Sequence, residues 1–185
     1  RIEAGTYMIA SALTAGNIKI INIIPKIIKT EIDILRKVGA TIKIKSTELR
    51  IIGKKKINNI KLTTSPYPGF PTDLQAQLMV LLCKAFGRSE IIEKIFENRF
   101  MHASELNRMG AKIKILENKA IIEGNVNFKA AELMATDLRA SVSLILAGLT
   151  AKGKSIINRI YHLDRGYEDI EQKFKSLGAK IKRIS

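Results

Sequence analysis

Apolar positions along the chain form three patterns, which predict buried helices, amphipathic helices and strands. Two segments are apolar nearly all round, 74–85 and 138–150, which predicts helices buried on every side. Other segments have one apolar face, which predicts amphipathic helices. These lie at about 29–38, 102–109 and 167–177. Strands rich in β-branched residues are predicted at 18–24, 90–95 and 155–160.

Alternating apolar and polar residues on either side of short polar turns predict β-hairpins. The two hairpins pair 41–45 with 49–52 and 112–116 with 120–123. Further strands are predicted at 60–64, 131–135 and 180–184.

One phrase occurs three times, ending in Gly39-Ala40, Gly110-Ala111 and Gly178-Ala179. A spacing of about 70 residues indicates an internal repeat. We predict one α/β (α+β) lobe made of three βαβαββ units with pseudo-threefold symmetry, with buried helices inside and sheets outside. The units span approximately 1–56, 57–127 and 128–185. The first unit has no leading strand and the third has no closing hairpin strand. We therefore expect a segment from elsewhere in a longer protein to complete the sheet.

Composition narrows the possible partners. The net charge of +15 favours an anionic ligand. Lysines are scattered through every unit, and aromatic residues are only 5% of the chain, so base stacking is poorly supported and no nucleic acid is expected. No apolar run is long enough to cross a membrane. No metal-ligand spacing or nucleotide-binding loop is present, so neither a metal nor a cofactor is predicted.

Charged residues at the starts of the predicted helices are the candidate site. Thr72-Asp73 and Thr136-Asp137 precede the buried helices of the second and third units, and Glu3 is their counterpart in the first. Helix capping alone explains a Thr-Asp pair. It does not explain Arg139 in the first helical turn, where a cation opposes the helix dipole unless an anion binds there.

Two more arginines, Arg99 and Arg165, precede amphipathic helices in equivalent positions, whereas residues 25–28 of the first unit contain none. A surface ion pair is the alternative for either residue alone. Together with Arg139 they form a candidate clamp for phosphate or carboxylate. Asp73 and Asp137 lie on the same rim, which favours proton transfer on an anionic substrate. His102 and His162 are expected to cap or pack, and Cys83 is expected to be a buried core thiol.

Several stretches resemble the enolpyruvyl transferases that act on UDP-N-acetylglucosamine in peptidoglycan synthesis. The matching stretches are RIEAGT (1–6), PGFPTDLQAQ (68–77), FENRFMH (96–102), ELNRMGA (105–111), MATDLRAS (134–141) and RIYHLDRGYE (159–168). The resemblance covers the whole chain. It implies a two-lobed transferase, of which this chain is the C-terminal lobe of an inside-out barrel fold.

By this resemblance, the enolpyruvyl group of phosphoenolpyruvate passes to the 3-hydroxyl of UDP-N-acetylglucosamine and phosphate is released. Asp73 is then the base at that hydroxyl and Ile95 contacts the nucleotide sugar. Arg165 holds phosphoenolpyruvate, Arg99 and Arg139 support the anionic site, and Asp137 assists proton transfer.

The resemblance also implies a cytoplasmic protein of cell-wall biogenesis, acting in cell shape and division. The proton-donor cysteine of the family belongs to the other lobe, and Cys83 does not replace it. We therefore expect the chain alone to be inactive. The alternatives are a remnant or split subunit that needs a partner lobe, or a basic nucleic-acid-binding module.

Overall fold

The computed structural model describes residues 1–184. Within them six α-helices and nine strands alternate along the chain. In order they are α1 (Ile2–Leu13), β1 (Asn17–Ile21), α2 (Lys29–Lys37), β2 (Thr41–Ile44), β3 (Glu48–Ile52), β4 (Lys61–Thr63), α3 (Gln75–Cys83), β5 (Arg88–Ile92), α4 (His102–Arg108), β6 (Lys112–Leu116), β7 (Lys119–Glu123), β8 (Glu132–Met134), α5 (Leu138–Thr150), β9 (Ile156–Asn158) and α6 (Ile170–Ser176). Short 3₁₀ helices cover Pro25–Ile28, Thr72–Leu74 and Ile160–Arg165.

Three helices form the centre of the molecule. α1, α3 and α5 contact one another, and every residue of α3 is buried. This burial follows from the absence of a polar stripe, because a helix that is apolar all round must be covered on all sides. Cys83 lies in this core, and burial raises the pKa of its thiol to about 12, as expected for a packed thiol that does not react.

The strands form three sheets around the helices. In the largest sheet the strand order is β4-β5-β7-β6, with β4 parallel to β5 and the other pairs antiparallel. The first sheet, β1-β3-β2, contains only antiparallel pairs and corresponds to β5-β7-β6. The third sheet, β8-β9, is a parallel pair and corresponds to β4-β5. The mixed α/β architecture is therefore as predicted, while the exact division into units at 56 and 127 stays a prediction.

The predicted helices and hairpins are present, but four strand predictions need correction. β1 spans Asn17–Ile21 rather than 18–24, since Asn22 takes a left-handed conformation with φ 56°. Residues 180–184 form no strand, because the described chain contains no hairpin partner for them. β9 ends at Asn158 rather than 160, since Arg159 takes a left-handed conformation with φ 59° and a 3₁₀ helix follows. β5 spans Arg88–Ile92 rather than 90–95, because the backbone N–H groups of Ile95 and Phe96 donate to the Glu93 side chain instead of to a neighbouring strand. Within residues 1–184 no helix is long and apolar enough to span a membrane.

Candidate active site

The N-terminal ends of α3 and α5 carry the acidic residues singled out above, but they use them differently. Asp137 is the N-cap of α5: its Oδ1 accepts hydrogen bonds from the backbone N–H of Arg139 at 2.8 Å and of Ala140 at 3.2 Å. Asp73 lies in the 3₁₀ helix before α3 and accepts no capping bond. The carboxylate of Asp73 is therefore free for other contacts.

Those contacts are with two arginines. The Oδ1 atom of Asp73 lies 3.4 Å from Nη1 of Arg139 and 3.6 Å from Nη1 of Arg99. Arg139 also reaches Asp137, with Nε 3.5 Å from Oδ1. The side chain of Asp73 remains 50% exposed, so a ligand can approach it. We call these four residues the acid–arginine cluster.

Arg99 has a hydrogen-bond donor that the described residues do not satisfy. Its side chain is 16% exposed, and its guanidinium lies over the Phe96 ring at 4.3 Å from the centroid. Nη1 is buried and makes no hydrogen bond within residues 1–184. Burial, and then the positive charge of Arg139, lower the pKa of Arg99, while nearby carboxylates oppose this change. An anion here would supply the acceptor that Nη1 lacks.

Two neighbouring pockets open beside the acid–arginine cluster. The first has a volume of about 350 Å³ and is lined by Phe96, Glu97, Asn98, Arg99, Met101, His102, Thr136, Asp137 and Arg139. The second, of about 680 Å³, shares the 96–101 loop and extends to Glu93, Ile115, Glu117 and Asn118. A small anion fits the first pocket, and the second provides a larger, more apolar surface next to it.

His102 lines the first pocket but is not available as a cation. It is 3% exposed, and burial lowers its pKa to about 4. Its Nε2 atom is buried without a hydrogen-bond partner in the described chain. His102 therefore packs in its neutral form, as the sequence predicted.

Arg165 and Ile95 lie outside the acid–arginine cluster. Arg165 ends the 3₁₀ helix Ile160–Arg165, is exposed, and makes no ion pair within residues 1–184. Arg165 nevertheless lies at the same end of the molecule as the cluster. The next residue, Gly166, packs against Leu138 at the start of α5, so closely that a Cβ on Gly166 would lie 2.8 Å from the Leu138 side chain. Ile95 is partly buried in the loop after β5. Glu3 pairs with Lys173 at 2.9 Å, so it is not part of the cluster.

Sequence reasoning missed two polar groups beneath the cluster. Glu93 is almost fully buried and accepts hydrogen bonds from several segments. The hydroxyl groups of Thr6 and Tyr167 lie 2.8 Å apart among the central helices, and Nε2 of Gln77 donates to Thr6 at 3.2 Å and to the backbone oxygen of Asp73 at 3.0 Å. The available signal for Gln77 was a polar residue in a helix that is predicted to be buried on every side.

The fold matches that of enolpyruvyl transferases. A sequence profile of the EPSP synthase (3-phosphoshikimate 1-carboxyvinyltransferase) family matches residues 1–174, and the chain belongs to this family. Among curated relatives, the chain is 74% identical over 185 residues to the UDP-N-acetylglucosamine 1-carboxyvinyltransferase of Pelagibacter ubique. It is 54% identical to the protein of that name in Desulfatibacillum aliphaticivorans. In each case all of this chain aligns with 44% of the relative, so the chain spans under half the length of the relatives it matches.

Solved structures show the same fold. The enolpyruvyl transferase NikO from Streptomyces tendae superposes with a TM-score of 0.88 at 29% identity, covering 98% of this chain and 43% of NikO. The EPSP synthase of Acinetobacter baumannii superposes with a TM-score of 0.77 at 19% identity, covering 98% of this chain and 46% of that one. The second comparison supports the fold alone.

Proposed function

We propose that this chain forms one lobe of an enzyme that transfers the enolpyruvyl group of phosphoenolpyruvate to the 3-hydroxyl of UDP-N-acetylglucosamine, releasing phosphate. The observation that carries the proposal is the half-exposed Asp73 carboxylate held beside Arg99 and Arg139 at the rim of the pockets. The names of the relatives, at 74% and 54% identity, supply the substrate class.

The cluster has the groups that this transfer requires. The hydroxyl oxygen bonds to the enolpyruvyl carbon, loses its proton, and the bond between that carbon and the phosphate oxygen breaks. Asp73 is the base for the hydroxyl proton, since its carboxylate is accessible and not used in capping. Arg99, Arg139 and Arg165 bind the phosphate and carboxylate groups and stabilise the negative charge that develops on the leaving phosphate.

Asp137 and Ile95 have narrower roles in this proposal. Asp137 Oδ1 is engaged in the cap of α5, so Oδ2 is the atom through which it assists proton transfer. Ile95 contacts the nucleotide sugar. The second lobe of the protein supplies the remaining groups, and we expect the 185-residue chain alone to show no turnover. The product serves peptidoglycan synthesis in the cytoplasm, which connects the enzyme with cell shape and division.

A chimera tests the proposal directly. This chain replaces the matching 185 residues of the Pelagibacter ubique relative, and phosphate release is measured with phosphoenolpyruvate and UDP-N-acetylglucosamine. We expect an active chimera, with Asp73→Asn lowering kcat by about 10²–10⁴-fold because the base is lost. Loss of the Asp73 charge should leave folding intact, since Asp73 caps no helix.

The matched control is Glu123→Gln. Glu123 pairs with Arg88 at 2.7 Å, beyond the other end of α3, so this variant also removes a carboxylate from an ion pair but should keep full activity. An inactive chimera that retains its fold would favour the alternative of a remnant that kept the architecture and lost the chemistry. An Asp73→Asn chimera with unchanged kcat would remove Asp73 from the mechanism.

A further inference from the structure

Glu93 is a buried carboxylate whose two oxygens hold three separate stretches of chain. It is 3% exposed. Oε1 accepts from the Thr64 hydroxyl at 2.8 Å and from the backbone N–H groups of Ile95 at 2.8 Å and Phe96 at 3.4 Å. Oε2 accepts from the Thr72 hydroxyl at 2.8 Å. Such a fully engaged carboxylate fixes its neighbours, since breaking any bond leaves a buried polar group unsatisfied.

Two of the stretches joined by Glu93 carry two members of the acid–arginine cluster, Asp73 and Arg99. Thr72 directly precedes Asp73 in the 3₁₀ helix before α3. Ile95 and Phe96 begin the loop that leads to Arg99. Glu93 thus lies beneath both partners of the 3.6 Å contact between Asp73 and Arg99, at the inner end of the second pocket.

Comparison within the chain shows that the fold does not demand a carboxylate at this point. The strand registers align Glu93 with Asn22 in the first predicted unit and with Arg159 in the third. Both of those residues are left-handed, with φ values of 56° and 59°, and Glu93 is not. The second unit, which contributes Asp73 and Arg99, is therefore the one with a different residue and a different backbone here.

We propose that Glu93 is a positioning residue: it sets the spacing between Asp73 and Arg99 by tying the start of α3 to the loop after β5. The inference rests on the proposed function, because the spacing matters only if both groups act on one substrate. Glu93 itself touches no reacting atom. It acts through Thr72 on one side and through the backbone of Ile95 and Phe96 on the other.

Two kinds of variant in the chimera test this role. Glu93→Gln keeps the shape but places an amide N–H among donors, and Thr72→Val removes one donor without altering side-chain size. We expect each to lower kcat/KM by up to about 100-fold, the scale of a displacement of about 1 Å in a catalytic group. Thr72→Ser restores the hydroxyl and should recover most of the loss. Glu123→Gln is again the control with wild-type activity.

A double-variant comparison separates positioning from a general effect on stability. If Glu93 acts through Arg99, Glu93→Gln should cause little further loss in an Arg99→Ala background. A purely structural role would give the same fold-loss in both backgrounds and a parallel fall in the unfolding midpoint. That result, or unchanged kinetics in both Glu93→Gln and Thr72→Val, overturns the inference.

The positioning role of Glu93 can also be tested if the proposed function is wrong. Should the unaltered chimera show no turnover, a crystal structure of its Glu93→Gln form decides the matter. A lengthened distance between Asp73 and Arg99 supports the inference. Retention of the 3.6 Å spacing overturns it, independently of the reaction.

Discussion

At the scale of single residues, burial and charge compete most clearly at Arg99. Its guanidinium is largely withdrawn from water, lies over the Phe96 ring, and has one donor without an acceptor in the described chain. A buried polar group in this condition destabilises the protein by roughly 1–3 kcal/mol. A phosphate or carboxylate group bound at the acid–arginine cluster would accept a hydrogen bond from this donor and so stabilise the protein.

His102 leads to a prediction about pH. Its pKa falls from an ordinary value of about 6.5 to about 4 because of burial, so the unfolded chain binds the proton more tightly. Below about pH 6.5 protonation stabilises the unfolded state, and folding stability decreases until the pH reaches about 4. We expect the free energy of unfolding to fall by about 2 kcal/mol between pH 7 and pH 5 through this residue.

Urea unfolding of the chain at the two pH values measures this effect. His102→Gln should lose that part of the pH dependence, whereas His162→Gln, which leaves His102 in place, should retain it. An equal pH dependence in His102→Gln and the unaltered chain would contradict the assignment.

The residues that the sequence identified were those with a chemical pattern. The acids and arginines at repeated helix starts were found because the units differ there, and the structure brings Asp73, Asp137, Arg99 and Arg139 together. Glu93 was missed because a glutamate at the end of a strand usually faces water. Its burial depends on Thr64 and Thr72, which are distant in sequence and meet it only after folding.

At the scale of elements, the starts of α3 and α5 look alike in sequence and differ in structure. Asp137 accepts two backbone N–H bonds and Asp73 accepts none. We expect Asp137→Ala to lower the free energy of unfolding by about 1 kcal/mol, the usual value of an N-cap. Asp137→Asn keeps the cap and should cost much less, while Asp73→Ala should stay within about 0.5 kcal/mol. Urea unfolding of the three variants checks this order, and equal losses in the two alanine variants would contradict it.

The end of β7 packs so closely on the end of α3 that only glycine fits. A Cβ at Gly124 would lie 1.9 Å from the backbone oxygen of Ala85. We expect Gly124→Ala to destabilise the protein by about 1–3 kcal/mol, as overpacking does. Gly148→Ala in α5 is the matched control, since its nearest neighbour would be 3.5 Å away and alanine favours helix by about 0.5–1 kcal/mol. Unfolding midpoints that move in the same direction in both variants would refute this explanation.

At the scale of the whole molecule, the predicted α/β fold class is confirmed, whereas several single strands were predicted with the wrong bounds or wrongly altogether. Apolar helices and hairpins were predicted correctly because their patterns are local. The strand at 180–184 was predicted wrongly because a strand exists only where a partner pairs with it, and the described chain provides none. Propensity alone therefore cannot settle a strand at the edge of a sheet.

The open edge of β9 leads to a further prediction. β5 pairs with β4 on one side and β7 on the other, whereas β9 pairs with β8 alone in the described chain. Ile156 donates its N–H to Ala131 on the β8 side, so the N–H of Ile157 points to the open edge.

We expect the part of the Pelagibacter ubique relative outside the match to add an antiparallel strand there, when it is mixed with this chain. Amide hydrogen exchange at Ile157 should then slow by about fivefold, since one backbone hydrogen bond contributes about 1 kcal/mol. Ile91, the equivalent residue of β5, should be protected with or without the added polypeptide. Association of the two polypeptides without any change at Ile157 would show that they meet at another surface.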